Sequence, residues 1–464
     1  MITKLEISGF KTFENFEMEF SPFTIIAGPN ASGKSNLFDA LALLTRLAET
    51  DLKTAFSEQR GEAIELFTKY DDDFADEISF AIEMLVDKKV RDNWGGESEL
   101  KYTRLRYELK IKRTINERGI LDLAVAYEVL VNLKHNEDVW LRNHLKPEVR
   151  EIWRPKVSTG KRGKPYILTE DREGTVTIYL AQDGKSGNKK ATPANAVLQT
   201  VLSSINSVDF PHVFAAKEEM RKWRFLQLSP DALRKPSPYM AKDTISHHGE
   251  NLAAVLYRIK NADISAIKDI ARRLNNLLPT IVDVDVYDDS ANKQFIVKVK
   301  NDDGREFSSR VLSEGTLRLL ALCVFLYDET FGGLLCFEEP ENGIHPFRLK
   351  AMVELLNDLS IDFNDVDMPL RQVLVNTHSP VLVGEVFQLK EKKNISVWFS
   401  RLITKITKKS GVMKKLHVTK IFSVDPSSQG TLFQNNVADN NVTEKITQAD
   451  LKNYLQTAYF PEMM

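Results

Sequence analysis

The stretch Gly28-Pro29-Asn30-Ala31-Ser32-Gly33-Lys34-Ser35 decides how this chain of 464 residues is read. It spells GxxxxGKS directly after the apolar run Phe23-Thr24-Ile25-Ile26-Ala27. The glycines let the backbone wrap close to an anion and turn successive N–H groups inward. Lys34 can reach the β- and γ-phosphates of a nucleotide, and the Ser35 hydroxyl can hold Mg²⁺. The segment after Ser35 reads as a helix with Leu37, Ala40, Leu41, Leu44 and Leu47 on one stripe. Its positive end then points at the phosphates. A glycine-rich turn before a core helix is the ordinary alternative, and the strand–loop–helix context argues against it. The loop, with Asn36 completing it, is the expected cradle for ATP or GTP.

A second informative segment lies far downstream. Val311-Leu312-Ser313-Glu314-Gly315-Thr316 precedes a helical run from Leu317 to Tyr327, and Ser313 is a natural N-cap. Gly332-Gly333 breaks the chain before Leu334-Leu335-Cys336-Phe337-Glu338-Glu339, a short apolar strand ending in two adjacent carboxylates. That is the shape of a Walker B element, with Glu338 in the magnesium shell and Glu339 polarising an attacking water. Pro340 to Pro346 makes a rigid turn. Gln372-Val373-Leu374-Val375-Asn376-Thr377-His378-Ser379-Pro380 reads as a further core strand that delivers Thr377 and His378 at its end.

These motifs in this order resemble the ATP-binding-cassette ATPases of the SMC/RecF/OLD type. The opening Leu5-Glu6-Ile7-Ser8-Gly9-Phe10-Lys11-Thr12-Phe13 is similar to the first strands those proteins place before their P-loop, and Leu228-Ser229-Pro230 and Gly249 to Leu256 extend the likeness. The resemblance implies an α/β fold: an ABC-type ATPase head, a mixed sheet with a P-loop core, carrying an inserted α+β lid region and no long coiled coil. It implies that Lys34 and Ser35 are the P-loop pair and that Ser313, Glu314 and Gly315 form the signature. Glu339 becomes the catalytic base, Asn342 and Gly343 lie in the D-loop, and His378 is the switch histidine. ATP and Mg²⁺ are the implied cofactors. Glu338 stands where the wider class has Asp, and no glutamine is assigned to the Q-loop.

The signature also implies a dimer. Ser313 and the N–H groups it caps form an anion site with no phosphate source in its own loop. In the resembling family it closes over the nucleotide of a partner head, so the expectation is a homodimer or higher homo-oligomer with ATP sandwiched between heads. Resemblance further suggests a sensor or motor in prokaryotic genome defence with a separately encoded effector, a nuclease or toxin, or else a DNA-repair ATPase. A transporter ATPase subunit shares the motifs, but the early strands and large insertion argue against it. A scaffold that uses ATP only to oligomerise is a further alternative.

Bulk properties fit an ordinary globular chain. The apolar content is 42%, the formal net charge −2 and the mean hydropathy −0.29. A near-neutral balance leaves no global nucleic-acid footprint, so any DNA contact is local. Cys323 and Cys336 lie inside apolar runs and read as small core residues of a reducing compartment. The start, Met1 to Ile7, alternates like a first strand rather than a signal peptide. The longest apolar stretch, Leu319 to Tyr327, is too short to span a bilayer. The expectation is a cytoplasmic protein without a membrane partner.

The chain divides into four regions: 1–86, the first part of the head with its P-loop; 87–300, the inserted lid; 301–424, the second part of the head; and 425–464, a tail. In the insertion, Lys101 to Arg113 and Leu121 to Leu133 read as strands, and 193–226 and 250–278 as helices. Residues 156–164 and 185–190 are basic, glycine-containing loops. Residues 388–420 hold ten Lys or Arg against one acid, Glu391, with paired strands Ile395 to Phe399 and Lys415 to Phe422 around Ser410-Gly411. Such a hairpin is either a lysine-protected sheet edge or a surface for DNA or a protein. The tail is polar, with a short helix from Gln448 to Ala458. Asp283 and Asp285 make a DxD spacing that a nuclease could use, but it sits on a strand-like alternation.

Overall fold

A computed structural model describes residues 1–115, 119–155, 165–172, 175–181, 190–193, 198–389, 394–409 and 412–424. Residues 156–164 and 185–189, Ser410, Gly411 and the whole of 425–464 lie outside them. Among the described residues no helix exceeds 14 residues, so no coiled-coil arm is present there. No described helix is long and apolar enough to cross a membrane.

A six-stranded sheet forms the centre. Its order is Arg224–Leu226, Gly333–Glu338, Arg371–Thr377, Phe23–Ala27, Ile395–Lys409 and Val412–Ser423. The first five run parallel and the last is antiparallel. Parallel strands covered on both faces need continuous apolar runs. Phe23–Ala27 and Arg371–Thr377 are buried at every position. Alternate residues feed two cores. Ile26, Leu334, Cys336 and Leu374 join the P-loop helix Lys34–Leu47 and the antiparallel sheet on one side. Phe23, Ile25, Leu335, Phe337, Val373 and Val375 join the helices Leu252–Ala262, Ile264–Leu277, Glu314–Tyr327 and Leu349–Leu359 on the other. Each fully buried side chain of this kind contributes about 1.5–3 kcal/mol.

An eight-stranded antiparallel sheet packs over the first core. Its order is Lys190–Pro193, Thr175–Leu180, Ile167–Arg172, Leu121–Asn132, Arg104–Ile115, Glu77–Leu85, Ile2–Ser8 and Phe16–Glu19. It is stapled to the central sheet by Gln372, whose amide accepts from Ile2 N (3.0 Å) and donates to the Ile2 and Ser21 carbonyls (2.8 and 3.0 Å). A smaller sheet holds Ile281–Asp289 and Gln294–Asn301.

One expectation needs correction. Residues 193–226 are not continuous helix: among the described residues of that range only Pro211–Arg221 forms an α-helix, and Arg224–Leu226 is an edge strand paired with Gly333–Glu338. Phe225 aligns with Cys336 there, and that tertiary pairing outweighs local helix preference. The other strand and helix readings of the insertion hold, as Arg104–Ile115, Leu121–Asn132, Leu252–Ala262 and Ile264–Leu277.

Candidate functional site: the carboxyl end of the central sheet

Ala27, Glu338 and Thr377 end neighbouring strands, so the loops after them meet at one edge. The first is the glycine loop. Gly28 (φ 152°) and Gly33 (φ 92°) take backbone angles that side chains disfavour. A Cβ on Gly28 would lie 2.5 Å from the Ser400 carbonyl, and one on Gly33 would lie 1.8 Å from the Thr419 hydroxyl. Lys34 begins the helix and folds back, its ammonium donating to the Gly28 and Pro29 carbonyls (2.7 and 2.8 Å). Burial lowers its pKa, and the charges of Glu339 and Glu341 oppose that shift. The loop encloses a cavity of about 200 Å³ lined by Thr12, Lys34, Ser35, Asn36, Glu339 and Asn376 among others.

The carboxylates sit beside it. Ser35 Oγ accepts from Asn376 Nδ2 at 3.3 Å. Glu338 is half-buried, and burial pushes its carboxyl up, countered by Arg60, whose guanidinium stands 3.7 Å away. Glu339 takes a left-handed backbone (φ 46°), unusual for a non-glycine residue. Its N–H donates to the Asn376 carbonyl (2.8 Å). Its two carboxylate oxygens meet His378 Nδ1 at 3.0 Å and Asn342 Nδ2 at 2.8 Å. Glu341 accepts from the Thr377 hydroxyl, and burial raises its pKa. Ser32 Oγ, Glu338 Oε1, Glu341 Oε2 and Asn376 Oδ1 are all buried without a hydrogen-bond partner. Unpaired buried acceptors of this kind are costly, and around a glycine cradle they fit a hydrated cation and a phosphate chain.

Glu338, Glu339, Asn342 and His378 therefore come together with Gly28 to Asn36. Ser313, Glu314 and Gly315 do not line the cradle's cavity. Ser313 caps its helix, accepting from Thr316 N (3.3 Å), which starts that helix at Glu314, earlier than Leu317. Glu314 pairs with Arg318 (2.8 Å), and Gly315 lies against the Gly343 carbonyl. Asp283 and Asp285 lie opposite Lys300 and Lys298 on the neighbouring strand, and among the described residues no group of three metal-type ligands occurs.

Sequence reasoning missed several residues here. Gln227 follows the edge strand and lines a second cavity, of about 470 Å³, with Glu338, Asp39 and Arg60. Reading 193–226 as helix hid it. A glutamine one residue past a short apolar run, Phe225-Leu226, was the available signal. Asp39 is gripped by Lys11 (2.7 Å) and Arg60 (2.8 Å), a cationic pair no motif announced. Ser400 and Thr419 donate to the Ser32 carbonyl (2.9 and 3.2 Å), bracing the loop from the chain's far end.

The family model described as "AAA ATPase domain" matches residues 1–383. The chain belongs to the AAA ATPase domain family. Hydrolysis of ATP to ADP and phosphate is accordingly the reaction of this ATPase, as the motif order implied. A 68-residue segment, 14% of the chain, is 43% identical to a chromosome partition protein Smc of Halothermothrix orenii, and spans 5% of that relative's length. An SmcHead bound to the C-winged helix domain of ScpA superposes with a TM-score of 0.44 at 15% identity, covering 90% of this chain and 98% of its own. The SMC head domain from Thermotoga maritima gives 0.37 at 13% identity, covering 91% and 99%. At those scores the membership rests on the family match alone.

Proposed function

We propose that this ATPase binds Mg²⁺-ATP in the Gly28–Asn36 cradle and hydrolyses it with Glu339 as general base. The observation that carries the reading is the Glu339 carboxylate, pinned between His378 and Asn342 at the rim of the cavity that holds Lys34 and Ser35. Mg²⁺ beside Ser35 and Glu338 would neutralise charge on the phosphates. Lys34 exchanges its two carbonyl partners for phosphate oxygens. Glu339 takes a proton from water as the water oxygen bonds to the γ-phosphorus and the bond to the β–γ bridging oxygen breaks. His378 orients that carboxylate, and Gln227 is the glutamine placed to sense the Glu338 side.

The site is completed by a second copy. Ser313 to Gly315 present a capped helix start outside their own chain's cradle, which favours a signature acting in trans within a homodimer or higher homo-oligomer. The test mixes two inactive variants, Lys34→Ala and Ser313→Arg, by co-expression. One composite site regains an intact loop and an intact signature, so part of the ATPase activity returns. Full activity from strictly monomeric wild type, at a rate independent of protein concentration, would sink the model.

The role proposed for such heads is a cytoplasmic sensor or motor of prokaryotic genome defence with a separately encoded nuclease or toxin. The lack of a long helical arm among the described residues supports it, and co-purification of such an effector is the test. DNA repair is the second reading. The local likeness to a chromosome partition protein favours it, as does the stretch from Asn394 to Val424, which carries seven Lys or Arg and no acid. Duplex affinity falling steeply with salt is its signature.

A further inference from the structure

The ribbon made by Ile395–Lys409 and Val412–Ser423 outruns the sheet it belongs to. Only Ile395 to Phe399 pair with Phe23 to Ala27. From Ser400 and Ile421 outward, to Lys409 and Val412, the two strands pair with each other. Ala27 is the residue before the glycine loop, so the ribbon rises from the same end of the sheet as the nucleotide cradle.

Its root grips that cradle. Thr419 contacts the Thr12 hydroxyl at 2.6 Å and the Ser32 carbonyl at 3.2 Å, and it abuts Gly33. Residues two apart on a strand share a face. His417 and Lys415 therefore face the way Thr419 faces, as do their cross-strand neighbours Thr404 and Ile406. A rise of about 3.3 Å per residue sets His417 about 7 Å above Thr419. Its ring is exposed, and Nδ1 lies 3.1 Å from the Thr404 hydroxyl, which fixes its orientation.

The loop dictates where a nucleotide's remaining half would go. Lys34 takes the terminal phosphates and the first helical N–H groups take those nearer the sugar. The nucleoside then leaves past Asn36, whose amide donates to Thr12 (2.8 Å), and Thr12 is joined to Thr419. The path leads up the ribbon's face.

Resting on the nucleotide reading of the loop, we infer that His417, seated by Thr404, is the stacking platform for the base of a bound purine nucleotide. An imidazole face recognises a flat base without reading its edge, so both adenine and guanine suit it. The test is equilibrium binding of ATP and of inorganic tripolyphosphate to the full chain. His417→Ala should weaken ATP about tenfold while leaving tripolyphosphate unchanged, and His417→Phe, which keeps a flat ring, should restore most of the loss. Unchanged ATP affinity in His417→Ala, or an equal loss for both ligands, would overturn the proposal. Wild type that binds neither ligand would bring down the loop assignment along with it.

Discussion

Two polar interiors of this ATPase are built on opposite terms. In the antiparallel sheet, among the described residues, no buried side-chain nitrogen or oxygen lacks a hydrogen-bond partner. Arg104 is almost wholly buried, yet it donates twice to Asp138 (3.0 and 3.1 Å) and once to Thr3 (2.8 Å), while Arg154 also reaches Asp138. Glu128, fully buried, accepts from the Val201 and Leu202 N–H groups (2.7 and 2.8 Å) and from the Tyr107 hydroxyl (3.1 Å). At the carboxyl end of the parallel sheet the opposite holds. Four of the eight buried side-chain atoms without a hydrogen-bond partner among the described residues, on Ser32, Glu338, Glu341 and Asn376, gather there. A satisfied network fixes a shape, whereas an unsatisfied one keeps capacity for something that arrives.

The sharpest way to break that contrast is at the base. Glu339→Gln preserves the size and the Asn342 contact but removes the proton acceptor. Phosphate release should fall by roughly 10³-fold with ATP binding retained. Near-normal turnover would leave the strained φ at Glu339 without a catalytic reason.

Glu128 probes the other side. Burial pushes its carboxyl up to about 7 from an ordinary 4.5, and the backbone N–H groups only partly oppose this. The folded chain thus holds this proton more tightly than the unfolded chain. The group's contribution is full below about pH 4.5 and is lost as pH rises through about 7, a change of about 3 kcal/mol. Glu128→Gln should therefore flatten the fall in unfolding midpoint between pH 5 and 8. Parallel curves for variant and wild type would show that the charged form is already accommodated.

The ribbon gives the smallest effect. If it tracks a phosphate backbone, replacing Lys408, Lys409, Lys414 and Lys415 by Gln should make the slope of log affinity against log salt shallower by about 0.9 for each lost contact. An unchanged slope would leave those lysines as protection for a sheet edge.

The sequence made the two ends of the head legible because their chemistry is local. Gly28 to Ser35 and Leu334 to Glu339 each carry strand, turn and functional group within a few consecutive residues. His378 was legible for the same reason, at the end of an apolar run. The features that stayed hidden depend on distant pairing. Arg224–Leu226 is a strand only because Gly333–Glu338 lies beside it, and Gln227 gains its place from that register. Arg60 belongs to no motif, and meets Asp39 and Glu338 only once the helix is docked. The brace from Ser400 and Thr419 onto Ser32 spans 368 and 387 positions of sequence, beyond any pattern read along the chain.

That brace bears on how the molecule is made. The strand that carries the glycine loop sits in the middle of its sheet, and both its neighbours, Arg371–Thr377 and Ile395–Lys409, are translated more than 340 residues after it. A ribosome-bound chain carries Phe23–Ala27 as an apolar segment with both edges open until those strands emerge. The antiparallel sheet, closed by contacts nearer in sequence, can assemble during that interval and shield one face. The strand that leads into the nucleotide cradle is synthesised more than 340 residues before the two strands that flank it.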